Sequence, residues 1–135
     1  SDNVSYFGVV LAANANNVTS FEAGAGGDVV QFSDASLTAV AGGYTAGTAL
    51  TVANVAGISD TASQLIVDTI ANLGALGVTI GDQTGKTNIN HQLAVASDTG
   101  AIFYDADGDW TGGSVQIGDL DVTTGLVAAN FEIIA

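Results

Sequence analysis

The chain has 135 residues, enough for one domain with a hydrophobic core, and 47% of its residues are hydrophobic. Fourteen acidic residues face a single basic residue, Lys86, so the formal net charge is −13 and attachment to nucleic-acid phosphates or anionic membranes is disfavoured. The absence of cysteine excludes disulfides and thiolate metal sites, and no apolar run in the sequence is long enough to span a bilayer.

The first half of the chain predicts short strands. Residues 4–11 form an apolar run that is followed by an Ala/Asn turn. Residues 18–33 predict two short strands joined by a glycine-rich turn. Residues 34–60 are rich in Ala, Thr and Gly and show weak periodicity, which predicts a mixture of strands and loops.

The pattern predicts one helix, over residues 61–74. Thr61 is a candidate N-cap, and Gly74 or Gly77 is a candidate stop. The apolar positions are spaced so that they share one helix face, which we interpret as core packing; they are Leu65, Ile66, Ile70 and Leu73.

The last third of the chain again predicts strands. Residues 93–96 and 101–104 flank a tight-turn sequence over residues 97–100, and further strands are expected over residues 115–117 and 131–134. We therefore expect a single domain over residues 1–135 that is mainly β. It would be a β-roll remnant or a β-sandwich with one short helix at about 61–74.

The first motif with chemical content is the glycine-rich turn over residues 23–31. Gly24, Gly26, Asp28 and Val30 match the calcium-binding nonapeptide G-G-x-G-x-D-x-U-x, whereas Ala23 replaces its first glycine. Glycines let such a turn curl until backbone carbonyls point at an ion, while Asp28 adds a carboxylate and Val30 enters the core. The alternative is an ordinary glycine-rich turn between strands.

The second motif is an aspartate loop. Asp105, Asp107 and Asp109 occupy alternate positions, the spacing with which calcium loops converge carboxylates on one ion. Trp110 stands where an EF-hand has its glycine, and Gln116 stands where it has its bidentate glutamate, so an EF-hand is not expected. The alternatives are a looser calcium loop between strands and a solvated acidic turn.

These segments, with the terminal run Phe131-Glu132-Ile133-Ile134-Ala135, resemble the C-terminal regions of repeats-in-toxin (RTX) proteins. The likeness lies in residues 18–33, in residues 93–120 and in the acidic-then-apolar terminus, which resembles the signal used in type I secretion. It implies a calcium-binding C-terminal module of a larger bacterial extracellular or cell-surface protein. The implied metal ligands are Asp105, Asp107 and Asp109, followed by Asp28 with carbonyls from Gly24 and Gly26. The implied partners are calcium ions and, through the C-terminus, the type I secretion machinery.

An enzyme is the class we least expect. Residues 81–87 resemble a phosphate loop, but one residue too few separates Gly81 from Gly85. His91 is the only histidine, and no serine lies in a nucleophile elbow. Two further non-catalytic functions remain open: a self-assembling surface-layer or fibre block that pairs strands from residues 35–58, and a carbohydrate-binding adhesin module that uses Trp110 beside Tyr104.

Overall fold

The structure, a computed structural model, describes residues 4–7, 16–33, 50–58, 65–80, 92–105, 108, 110–112, 114–121 and 124–134. These residues are mainly strands, so the predicted fold class is confirmed. The strands are β1 (Val4–Phe7), β2 (Asn16–Val18), β3 (Val29–Ser33), β4 (Val52–Ala53), β5 (Leu65–Asp68), β6 (Leu93–Ala96), β7 (Ala101–Tyr104), β8 (Val115–Leu120) and β9 (Phe131–Ile134). The helices are α1 (Ile70–Leu73) and α2 (Leu76–Ile80), and single 3-10 turns cover Val55–Gly57 and Ala128–Asn130.

The strands form two sheets. One has three parallel strands in the order β1-β3-β9, and the other has six strands in the order β2-β8-β7-β6-β5-β4. In the larger sheet, β7 is antiparallel to both of its neighbours, β6 and β8. The pairs β4–β5, β5–β6 and β2–β8 are parallel. The glycine-rich turn after β2 therefore does not close a hairpin, because β2 and β3 belong to different sheets.

Strand β6 shows how the layers are arranged. All four of its residues are buried, since both faces of the sheet are covered there. Leu93 and Val95 belong to the apolar cluster between the two sheets, and Ala94 and Ala96 belong to a second cluster beneath the helices. Because side chains alternate along a strand, these two sets point to opposite faces. The order of layers is thus three-stranded sheet, six-stranded sheet and helices.

Both sheets contribute to the larger apolar cluster, which makes the sheet pair a single packed unit. Its fully buried members include Val30 and Phe32 from β3, Ile133 from β9 and Ile117 from β8. The smaller cluster contains alanines on the sheet side, at Ala94, Ala96 and Ala101. Small side chains there allow Leu73 and Leu76 of the two short helices to lie directly on the sheet.

The hairpin β6–β7 agrees with the sequence. Leu93 pairs with Tyr104 and Val95 with Ile102, with residues 97–100 as the connecting turn. Gly100 has φ +80°, a left-handed conformation that glycine adopts without strain. The predicted strand over residues 131–134 is also confirmed as β9, whereas β8 extends beyond its predicted end to Leu120.

The helix predicted over residues 61–74 is wrong in its first part. Leu65–Asp68 is strand β5, which pairs in parallel with both β4 and β6. Helical structure begins at Ile70, with Thr69 as the N-cap that accepts a hydrogen bond from the Asn72 N–H at 3.3 Å, and Gly74 ends α1 as predicted. The apolar spacing misled because β5 lies inside the sheet, so Leu65 and Ile66 are buried on opposite faces. Residues 61–64 lie outside the described residues.

Two other sequence expectations can be compared with the structure only in part, because residues 8–11, 34–49 and 59–60 lie outside the described residues. The strand expected over residues 4–11 is described as β1 over Val4–Phe7. Of the segment 34–60, residues 50–58 are described, and they hold the short edge strand β4 and a 3-10 turn.

Candidate metal centre

The glycine-rich turn leads into β3 and is as tight as the sequence predicts. Gly24 and Gly26 have φ values of +103° and +82°, conformations that favour glycine. The turn is closed by the Gly27 N–H donating to the Gly24 carbonyl at 3.0 Å and by the Asp28 N–H donating to the Glu22 carbonyl at 2.7 Å. A Cβ on Gly27 would lie 2.1 Å from the Glu22 carbonyl oxygen, so this position also requires glycine.

Asp28 lies at the end of this turn and is only 2% exposed. Its Oδ2 accepts a hydrogen bond from the Glu22 N–H at 2.9 Å, so the carboxylate folds back on its own turn. Val30, two residues later, is fully buried in the core, as the nonapeptide pattern predicts.

Asn130 completes the turn from the other end of the chain, a role that was not predicted from the sequence. Its side chain is fully buried. Its Oδ1 accepts from the N–H groups of Gly24 and Val127, both at 3.0 Å. Its Nδ2 donates to the carbonyls of Gly24 at 3.2 Å and Asp28 at 2.7 Å. Asn130 therefore uses both ends of its amide to fix the turn, an arrangement that we call the Asn130 clamp.

The Asn130 clamp already uses one of the predicted calcium ligands in this turn, the Gly24 carbonyl. The Gly24 carbonyl oxygen accepts from both the Gly27 N–H and the Asn130 Nδ2, which occupies its two lone pairs. An ion bound by this carbonyl would have to displace one of those donors. The turn is thus held together by protein hydrogen bonds around Gly24 and Asp28.

The aspartate loop begins directly after β7. Asp105 is 1% exposed, and its N–H donates to the Gln92 carbonyl at 2.9 Å. The Gly108 N–H donates both to Asp105 Oδ1 at 3.1 Å and to the Asp105 carbonyl at 3.2 Å, so Gly108 lies against Asp105. The second carboxylate oxygen, Oδ2, is likewise shielded from solvent. The other two predicted ligands, Asp107 and Asp109, lie outside the described residues.

The described part of the chain contains no cluster of three or more Asp, Glu or His side chains placed to hold a metal ion. Asp28 and Asp105 therefore share no three-ligand centre formed within that part. The phosphate-loop-like residues 81–87 and His91 fall outside the described ranges.

Asp121, which the sequence did not single out, fastens the end of β8 to the segment before the glycine turn. Its Oδ1 accepts from the Phe21 N–H at 2.8 Å, and its Oδ2 accepts from the Ser20 N–H. Hydrogen bonding from the N–H groups of Phe21 and Ser20 holds the pKa of Asp121 below its ordinary value of 3.8.

Asp68, at the end of β5, has a similar fastening role. Its Oδ2 accepts from the Val55 N–H at 3.0 Å, and its Oδ1 accepts from the Thr69 N–H and the Asn72 side chain, both at 2.8 Å. Burial favours the neutral acid, but these hydrogen bonds together outweigh it and lower the pKa of Asp68 from its ordinary value of 3.8.

The aromatic pair proposed as a sugar platform is divided between the two faces of the larger sheet. Tyr104 is 7% exposed and belongs to the cluster between the sheets. Trp110 is half-buried and packs against the cluster beneath the helices. The two rings therefore do not form one flat stacking surface.

Within the described ranges, no helix has the length and apolar character needed to cross a membrane. Comparisons of the chain with protein-family models, with curated proteins and with solved structures gave no match.

Proposed function

We propose that the chain is a non-catalytic calcium-binding module whose ion is held by the loop over residues 105–109. The observation that carries this proposal is the burial of the Asp105 carboxylate, which is 1% exposed at the start of a loop with two more aspartates. Removing a carboxylate from water costs several kcal/mol unless a cation or strong hydrogen bonds compensate. The whole sequence offers one lysine and no arginine for that purpose.

Calcium suits this loop because it prefers carboxylate and carbonyl oxygens in a flexible arrangement. The Gly108 N–H donates both to the Asp105 carboxylate and to the Asp105 carbonyl, so Gly108 lies against the first of the three candidate ligands. Asp107 and Asp109 would supply the second and third carboxylates. Their mutual repulsion, which no neighbouring basic residue offsets in the sequence, would be relieved by a divalent ion.

The glycine turn is the weaker of the two predicted sites. Asp28 could add a carboxylate, and Gly24 and Gly26 could add carbonyls, but the Gly24 carbonyl already accepts two hydrogen bonds. We therefore assign the main ion to Asp105, Asp107 and Asp109. Any ion at the glycine turn would bind with lower affinity, because the Gly24 carbonyl would have to lose one of its two hydrogen bonds.

The wider proposal is that the module belongs to a bacterial extracellular or cell-surface protein exported by a type I secretion system. Its support is the resemblance to RTX proteins and the strongly acidic, cysteine-free composition. In a cytoplasm with little calcium, carboxylate repulsion would keep the chain open for export. Outside the cell, calcium sites of this kind commonly bind at about 0.1–1 mM, so occupancy would accompany arrival in the medium.

Thermal unfolding followed by circular dichroism in EDTA, in about 5 mM calcium and in about 5 mM magnesium tests the proposal. A site with a dissociation constant of about 0.5 mM would raise the melting temperature by about 5 °C in calcium. Asp107→Asn and Asp109→Asn should abolish that rise, whereas Asp119→Asn, at an exposed position on β8, should keep it. Equal melting temperatures of the unaltered chain in all three solutions would contradict the proposal.

A second candidate is self-assembly, which one observation favours. Strand β4 lies at the end of the six-stranded sheet, and within the described residues it pairs with β5 alone. Its Val52 side chain is 38% exposed. An open edge of this kind can accept a strand from another copy. Light scattering with and without calcium tests this candidate, and a monomer in both solutions would exclude it.

A further inference from the structure

A pocket of about 180 Å³ lies between the short helices and the outer face of the six-stranded sheet. Helix α1 supplies one wall, the sheet supplies the floor, and the segment after the aspartate loop supplies the opposite wall. Its principal lining residues are Ile70, Leu73, Leu76, Ala94, Phe103 and Trp110. Ile70 is 43% exposed, so the pocket reaches the surface.

The size and lining of the pocket limit which ligands it can hold. A cavity of about 150 Å³ with aliphatic and aromatic walls holds one benzene ring, so this pocket has room for a ring with one substituent. Among the residues that the structure describes, none of the lining side chains is charged, and Ser114 provides the one hydroxyl group. Phe103 and Trp110 offer aromatic surfaces against which a flat ring can pack. We propose that the pocket binds a small, uncharged aromatic compound with one hydroxyl group, of the size of phenol.

Other small ligands fit this lining less well. A sugar ring would bury several hydroxyl groups opposite apolar side chains, and each hydroxyl without a partner costs binding free energy. An aromatic carboxylate would bring a negative charge to a chain of net charge −13 that has one lysine and no arginine. The pocket therefore distinguishes a neutral phenol from both a sugar and a benzoate.

Two features of the backbone restrict the position of Trp110 beside the pocket. Trp110 has φ +60°, an uncommon conformation for a residue other than glycine. Its carbonyl oxygen lies so close to α2 that a Cβ on Gly77 would be only 2.8 Å from it. The glycine thus lets α2 approach the Trp110 backbone closely, and the Trp110 side chain lines the pocket beside it.

Tryptophan fluorescence provides a direct test, since Trp110 is the only tryptophan in the chain. Phenol, benzoate and methyl glucoside would be titrated into the protein, both in EDTA and in about 5 mM calcium. We expect phenol to change the emission saturably with a dissociation constant on the order of 1 mM, and the other two to bind at least about tenfold more weakly. No saturable change with phenol in either solution, or equal binding of all three compounds, would overturn the proposal.

A matched pair of variants then locates the site. Ile70→Ala removes part of the pocket wall and should weaken phenol binding about fivefold. Val78→Ala removes a valine that is 91% exposed and lines no part of the pocket, so it should leave binding unchanged. Amide and methyl chemical shifts should move at Leu76 and Ala94 when phenol is added. Equal affinities of the two variants, or shifts confined to other parts of the protein, would show that phenol binds elsewhere.

Discussion

Asn130 binds both backbone groups of Gly24 across a sequence separation of 106 residues. The Gly24 N–H donates to Asn130 Oδ1 at 3.0 Å, and Asn130 Nδ2 donates to the Gly24 carbonyl at 3.2 Å. The turn that leads into β3 is thereby tied to the residue that leads into β9. Since β3 and β9 also pair in parallel, starting from Val30 opposite Phe131, the clamp fixes the register of that pairing at its first residue.

We expect Asn130→Ala to destabilise the fold by about 3 kcal/mol. The substitution removes the four hydrogen bonds that a fully buried side chain makes to the backbone of Gly24, Val127 and Asp28. Asn54→Ala is the matched control, because Asn54 is exposed and its Oδ1 accepts one hydrogen bond from the Gly57 N–H at 2.8 Å. Urea unfolding should show a loss of about 1 kcal/mol or less for that control. Similar losses in the two variants would contradict the importance of the clamp.

The glycines of the turn should respond very differently to a methyl group. Gly27→Ala would place a Cβ 2.1 Å from the Glu22 carbonyl oxygen, so the turn would have to open. Gly26→Ala meets nothing within 4 Å and faces only the cost of a φ of +82°, about 1 kcal/mol. We expect Gly27→Ala to lose at least about 3 kcal/mol or to prevent folding. Urea unfolding of both variants compares them, and a smaller loss for Gly27→Ala than for Gly26→Ala would refute the geometry.

Some of this structure could be predicted because its causes are local. The Ser97–Gly100 turn lies between two apolar runs. The turn residues and the two runs are adjacent in sequence, so the hairpin could be predicted from this segment alone. Strand β5 could not be separated from a helix, because a buried strand with both faces covered has a continuous apolar pattern. Asn130 could not be identified either, since an asparagine before a terminal strand carries no sign of its distant partner.

For the candidate metal ligands, the spacing could be predicted from the sequence, but their burial could not. The alternation of Asp105, Asp107 and Asp109 can be read from the sequence, but the burial of Asp105 depends on Gln92 and Gly108 around it. The pocket at Trp110 depends on the helices packing on alanines of β6, a contact that residue spacing does not reveal. Contacts between residues that are distant in sequence thus determine which acidic and aromatic side chains are buried away from solvent.

We expect Asp121 to contribute to stability at neutral pH and to lose that contribution in acid. Its pKa is lowered in the folded state by hydrogen bonds from Phe21 and Ser20, so folding favours the ionised form. The contribution is complete above the ordinary value of 3.8 and declines as the pH falls through the lower folded value. Urea unfolding between about pH 7 and about pH 3 should therefore show a difference between the unaltered chain and Asp121→Asn that shrinks with acidification.

Asp119→Asn controls for the loss of one negative charge, because Asp119 is exposed on β8, two residues before Asp121. The pH dependence of Asp121→Asn is compared with this variant, which removes a charge and leaves the hydrogen bonds from Phe21 and Ser20 to Asp121 in place. A difference that stays constant or grows on acidification would contradict the assigned role of the Asp121 carboxylate.

The terminal strand β9 packs in the core, and its residues are also the ones that resemble a type I export signal, so two variants are designed to separate the two roles. Ile133 is 1% exposed in the core between the sheets, so Ile133→Ala should cost about 2–4 kcal/mol in urea unfolding. Glu132 is half-buried and accepts a hydrogen bond from Gln31 Nε2 on β3, so Glu132→Gln should cost only about 1 kcal/mol. Deleting residues 131–135 would remove β9 altogether and confound folding with export.

Export should therefore be measured with Glu132→Gln in cells that carry a type I secretion system. If the acidic residue before the apolar run belongs to the signal, this variant should be exported less efficiently although its fold is nearly intact. Ile133→Ala serves as the comparison, because its main expected defect is in stability outside the cell. Normal export of both Glu132→Gln and the 131–135 deletion would show that the terminal residues serve the sheet alone, with Phe131 and Ile133 as its core contacts.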